Sequence, residues 1–354
     1  MIRRVSLRNF RGVERGEAEL EAFTLLVGRN GSGKTTLLEA LFLAPNPVRE
    51  VPYSRRSGGR ARAVEVVVEE HGWLGGMGPS SLLRDYVSEE ASISCELDEG
   101  SATLRMRRVG RTVSFEVRAS GRISERLKGT AESEEGWASL GSASAARSDG
   151  VGVKVSSTYG LGYMEESLLV SDGLLRRAWG FVRENWVEIV NRGLGIKAAE
   201  EASRILGEEY SDLTIEPLEG ELCLLLLRRD GRRIRVGDAG AGARNLILVK
   251  VMVELARPAV LLWDDLETHM NPSSLARCLE WLQSLAEEGV QVVASTHSLE
   301  AVRMAYQVAG EETGFSVLVT ELRNGVLLTK KLEKEDLESV SRAGLDVRLA
   351  GVLL

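Results

Sequence analysis

The chain has 354 residues, 44% hydrophobic and 27% charged, with a formal net charge of −7; this is the make-up of a soluble globular protein with a sizeable core. The acidic balance argues against a surface coated in nucleic acid. No apolar run approaches the roughly 20 residues of a spanning helix, and the opening "MIRRVSLRNF" lacks a signal peptide's apolar centre, so a cytoplasmic protein with no membrane association is expected.

The first residues alternate as a strand ("IRRVSL"), and "FTLLVG" is a buried-strand run ending in glycine. A helix is predicted from Lys34 to about Phe42, closed by the prolines of "APNPVREVP". Residues 60–130 read as period-2 strands ("AVEVVVEE", "ASISCEL", "ATLRMRRV", "TVSFEVRA"), which predicts an antiparallel β lobe. The small, polar stretch 129–150 predicts a long loop. Helical spacing from Met164 to Leu206, through Leu168, Leu169, Leu174, Trp179 and Trp186, predicts a helical subdomain over about 160–210. The last third alternates helices with apolar strands, which implies a mainly parallel sheet covered on both faces. The fold class expected is α/β. No heptad seam is sustained, and the separated Cys95, Cys223 and Cys278 suggest neither a disulfide framework nor a zinc site.

Three strand ends carry chemistry. "GRNGSGKT", Gly28 to Thr35, is the phosphate-binding pattern GxxxxGK[ST], placed after a strand and opening a helix. Backbone N–H groups of Arg29, Asn30, Gly31, Ser32 and Gly33 would line phosphate oxygens, with Thr36 in the following turn. Lys34 would reach the β and γ phosphates, and the Thr35 hydroxyl would bind magnesium. "AVLLWDD" ends an apolar strand in two acids, of which Asp264 would hold the metal and Asp265 would orient or deprotonate a water. Glu267 is a possible helper. "VVASTHS" ends a third strand in His297, placed to sense the γ phosphate. Gly240 and Gly242 open a further apolar helix, a second anion site.

Four elements in this order, "LRNFRGVE", "LLVGRNGSGKTTLLEALF", "LETHMNP" and "STHSLEAV", resemble the ABC-type P-loop ATPases of the SMC, RecF and OLD-like group. The resemblance implies an ABC-ATPase head over 1–354, built from both chain ends, with the 160–210 subdomain inserted between its nucleotide loop and its signature segment. ATP and Mg²⁺ are the cofactors implied. It implies a homodimer in which the signature helix of one copy, here Ala241 and Gly242 in "DAGAG", closes over the nucleotide of the other. Arg11 is then either a contact to nucleotide phosphate or a strand-edge salt bridge. The second acid is Asp265 where relatives often carry glutamate, which implies slow hydrolysis. No appended nuclease domain is expected.

The function implied is an ATPase that dimerises on ATP to clamp DNA or a partner protein in DNA repair, recombination or genome defence. Arginines around 55–62 and 105–128 are the candidate DNA contacts. The alternative is an ATPase that regulates a separate effector protein in a defence or toxin-like system.

Overall fold

A computed structural model describes residues 1–56, 59–72, 78–127, 132–133, 136–146, 150–156, 162–309, 314–336 and 339. Its centre is one 14-stranded sheet, and the strand order explains where chemistry can occur. Five strands run parallel side by side: Ser167–Val170, Val260–Trp263, Gln291–Thr296, Phe23–Val27 and Phe315–Arg323. Most of their residues are apolar and almost all are buried, as a sheet covered on both faces requires. Register brings their carboxyl ends level. Trp263 pairs with both Val170 and Ala294, while Thr296 pairs with Val27. Open parallel sheets bind ligands beyond such ends.

A hairpin turns Phe315–Arg323 into Val326–Leu332. That strand pairs with Val13–Glu19, and the sheet continues antiparallel through Ile2–Phe10, Glu90–Leu97, Gly100–Val109, Thr112–Gly121, Trp137–Ala146 and Gly150–Val155. The expected lobe is thus an extension of the nucleotide sheet itself, joined through Ile2–Phe10. Helices Lys34–Leu43, Ala241–Ala256, Pro272–Glu287 and Leu299–Val308 are those expected for the two chain ends.

Three stretches differ from expectation. "AVEVVVEE" is a helix, Ala63–Glu70, whose first turn is closed by Glu65 Oε2 accepting from Arg62 N at 2.7 Å. Every residue from Ala63 to Val68 is buried, so valines chosen for core packing imitate a strand pattern. Within the expected loop 129–150, Trp137–Ala146 is a strand paired on both sides; its alanines and serines have weak strand propensity, and pairing overrides it. Residues 128–131, 134–135 and 147–149 of that stretch lie outside the described residues. Ser167–Val170, expected as helix, is the edge strand of the parallel run, with helices Asp172–Glu184, Trp186–Asn191 and Leu194–Leu206 after it. Among the described residues no helix is long and apolar enough to cross a membrane.

Candidate nucleotide site

The loop after Phe23–Val27 is shaped by glycine. Gly31 and Gly33 have φ of 74° and 94°, values that side chains disfavour. At Gly28 a Cβ would lie 2.5 Å from both the Thr320 carbonyl oxygen and Ser32 Oγ. Ser32 is buried and bonded to Thr320 at 2.8 Å, which anchors the loop to the neighbouring strand. Arg29, Asn30 and Gly31 stand exposed at its crest, and Thr36 is half-buried on the helix. Lys34 Nζ turns back inside the loop and donates to the carbonyls of Gly28 at 3.0 Å and Arg29 at 3.1 Å.

Opposite the loop stand the two acids. Thr35 Oγ1 donates to Asp264 Oδ2 at 2.8 Å, and Ser295 Oγ donates to Asp264 Oδ1 at 2.6 Å. His297 joins the second acid to the lysine: its Nδ1 is 3.3 Å from Lys34 Nζ and its Nε2 is 3.2 Å from Asp265 Oδ1. Lysine only donates, so this network assigns a lone pair to Nδ1 and the proton to Nε2, facing the carboxylate. Glu267 Oε1 accepts from the His297 backbone N–H at 2.6 Å, while its Oε2 is buried without a hydrogen bond. Glu267 therefore holds the turn that carries the histidine.

These charges share a half-buried space. Burial, then the adjacent Asp264 carboxylate, pushes the Asp265 carboxyl above the ordinary aspartate range, against the opposite influence of His297 and Lys34. Burial lowers the Lys34 ammonium below the usual lysine value, while Asp265, Asp264 and Glu267 act to raise it. A cavity of about 320 Å³ adjoins them, lined in part by Thr35, Glu39, His71, Asp264, Asp265 and Thr268. Glycine-shaped backbone, a lysine inside it and adjacent hydroxyl and carboxylate oxygens fit a phosphate chain with a hard divalent cation.

Other expected residues lie elsewhere. Arg11 reaches the buried Glu39, with Nε 2.6 Å from Oε2, and His71 Nε2 approaches the other oxygen at 2.6 Å. Neither is drawn to the loop by these contacts. Ala241 and Gly242 begin their helix against the turn after the acids, where a Cβ on Gly242 would lie 2.3 Å from the His269 carbonyl oxygen. Arg105 is paired with Glu116 and lies 3.9 Å over the Trp137 ring, Arg107 is paired with Glu90, and Arg62 with Glu50. Of the 55–62 group, residues 57 and 58 lie outside the described residues.

Two known families match separate parts of the chain. Residues 1–97 match the family described as "AAA ATPase domain", and residues 194–303 match "AAA domain, putative AbiEii toxin, Type IV TA system". The two matches cover the loop on one side and the acids and His297 on the other. Both matched families are ATPase domains, and together they take in Lys34, Thr35, Asp264, Asp265 and His297 of the candidate nucleotide site. A stretch of 70 residues is 46% identical to the DNA double-strand break repair Rad50 ATPase of Methanopyrus kandleri; it is 19% of this chain and 8% of that protein's length. The fold of the chain is similar to that of the Smc head bound to the C-winged helix domain of ScpA, with a TM-score of 0.54 and 15% identity over 96% of this chain and 99% of that one. It is also similar to an Smc head domain with an extended coiled coil, bound to the C-terminal domain of ScpA derived from Pyrococcus furiosus (TM-score 0.52, 12% identity, 97% and 98% covered).

Sequence reasoning passed over Ser295 and Glu39. Ser295 sits two residues before His297 in a run of buried apolar strand, and Glu39 in an apolar helix. A polar side chain among core positions is the signal that could have marked either one.

Proposed function

We propose that the protein binds ATP with Mg²⁺ and hydrolyses it slowly within a homodimer that clamps DNA or a partner protein. The observation that carries this is the run from Lys34 through His297 to Asp265, which links the phosphate loop to a carboxylate free to face water. Thr35 and Asp264 would hold the cation, which supplies charge neutralisation at the phosphates. Among the described residues no three His, Cys, Asp or Glu form a metal cluster of their own; one carboxylate, one hydroxyl and phosphate oxygens suit Mg²⁺. Asp265 would accept the water's proton, helped by a carboxyl already raised above the ordinary range. His297 would report the γ phosphate to it, and Glu267 would keep His297 in place. Gly242 packs against the His269 backbone, and on this reading Ala241 and Gly242 would close on the nucleotide of the second copy. The head as a whole, 1–354, would then be half of a composite site.

The test is ATP turnover by wild type and Asp265→Ala, with sizing in ATP. The variant should retain ATP and accumulate dimer; unchanged turnover would move the base to Glu267. DNA retention should appear with ATP and fall steeply with salt. Its absence at low salt would leave the protein-partner reading, a regulator of a separate effector. That reading draws support from the carboxylate partners already held by Arg105, Arg107 and Arg62. Pull-downs with and without ATP would test it.

A further inference from the structure

Ser295 is fully buried at the end of Gln291–Thr296 and stands between the two acids. Its Oγ lies 2.6 Å from Asp264 Oδ1, 2.8 Å from Asp265 N and 3.4 Å from Asp265 Oδ1. A serine hydroxyl has one proton and two lone pairs. The Asp265 N–H takes a lone pair, so the single proton must choose between two carboxylates, and the shorter distance gives it to Asp264. Thr35 holds the other Asp264 oxygen at 2.8 Å. Asp264 is therefore fixed through both oxygens, whereas the Asp265 carboxylate receives no proton from Ser295.

The same residue also holds the Asp265 backbone. Asp265 has φ of 47°, a left-handed conformation that residues other than glycine keep only where neighbours enforce it. Ser295 brackets it, since Oγ accepts from Asp265 N and the Ser295 carbonyl accepts from Leu266 N at 3.0 Å. The left-handed turn sets the direction of the side chain, and a carboxylate one methylene shorter than glutamate has little reach to correct a wrong one.

We propose that Ser295 is a positioning residue that divides the work of the two aspartates, fixing Asp264 for the cation and aiming Asp265 at the water. This rests on the ATPase reading above. It acts through Asp264 and Asp265 rather than by touching nucleotide.

The test uses the full chain with Ser295→Ala, Ser295→Cys and Ser295→Thr, and a fluorescent N-methylanthraniloyl ATP. Two quantities are read: the Mg²⁺ concentration that half-saturates nucleotide binding, and kcat with KM. Loss of a group that orients a metal ligand typically changes metal affinity or activity by about 10- to 100-fold. Ser295→Ala is expected to raise half-saturating Mg²⁺ about 10-fold and to lower kcat by about as much, with KM at saturating Mg²⁺ changed less than about 2-fold. Ser295→Thr, which keeps the hydroxyl, should recover most of both; Ser295→Cys, nearly isosteric and a weak donor, should behave as alanine and stands in if alanine fails to fold. Wild-type Mg²⁺ dependence and kcat in a folded alanine or cysteine variant would overturn the proposal, as would a folded threonine variant as impaired as cysteine. The binding measurement needs no turnover. A wild type that binds nucleotide without hydrolysing it would defeat the ATPase reading and still decide the role of Ser295 at Asp264; one that binds none would overturn both.

Discussion

Gly242 meets the backbone of His269 so closely that a Cβ would lie 2.3 Å from its carbonyl oxygen. The helix expected to serve the partner's nucleotide is thereby seated on the turn that follows Asp265 and Glu267. Gly242→Ala must push the two apart, and overpacking of this kind costs about 1–3 kcal/mol, a fall in Tm of roughly 5 °C. Gly207, in the left-handed region with φ of 71° and ψ of 19° and with open space around it, should lose only about 1 kcal/mol on the same substitution. Thermal melts of the pair check the contrast.

Lys34→Ala should weaken binding of the fluorescent ATP by about 100-fold, since it removes the charge inside the loop's curve. Its ammonium is already lowered by burial, so the variant should melt within a few degrees of wild type, as judged by circular dichroism. Undiminished affinity would place the nucleotide elsewhere.

Asp265→Asn should lower turnover by about 100-fold while ATP stays bound. It should also stabilise the fold near neutral pH. The folded Asp265 carboxyl lies above its ordinary value, so its protonated form favours folding at low pH, and that stability is lost as pH rises through the raised value. Asparagine stays neutral and tolerates a left-handed backbone. The gain should be small, about 1–2 °C in Tm, because nearly half the side chain meets solvent. It should vanish as pH falls below the ordinary aspartate value; a gain unchanged with pH would assign it to backbone preference alone.

Arg11→Ala leaves Glu39 charged and buried, 4% exposed. Breaking such a pair costs about 3–5 kcal/mol, lessened here by His71 at 2.6 Å. Melting should therefore drop sharply while nucleotide affinity in the folded protein stays within about 3-fold. An unchanged Tm with weakened affinity would make Arg11 a phosphate contact.

The sequence alone determined the parts that depend on local backbone and on order. Gly31, Gly33 and Lys34 between a strand and a helix announce a phosphate loop because only that geometry turns N–H groups inward. Asp264, Asp265 and His297 each follow an apolar run at a strand's end, and a parallel sheet must put those ends side by side. What tertiary structure decided is everything set by partners distant in sequence. Ala63–Glu70 became a helix and Trp137–Ala146 a strand because complete burial and pairing outweigh local propensity. Arg11 found Glu39, 28 positions away, and Ser295 found both aspartates, about 30 away. A hydroxyl's single proton has no signature in a sequence; its acceptor is fixed only when packing sets one carboxylate at 2.6 Å and the other at 3.4 Å.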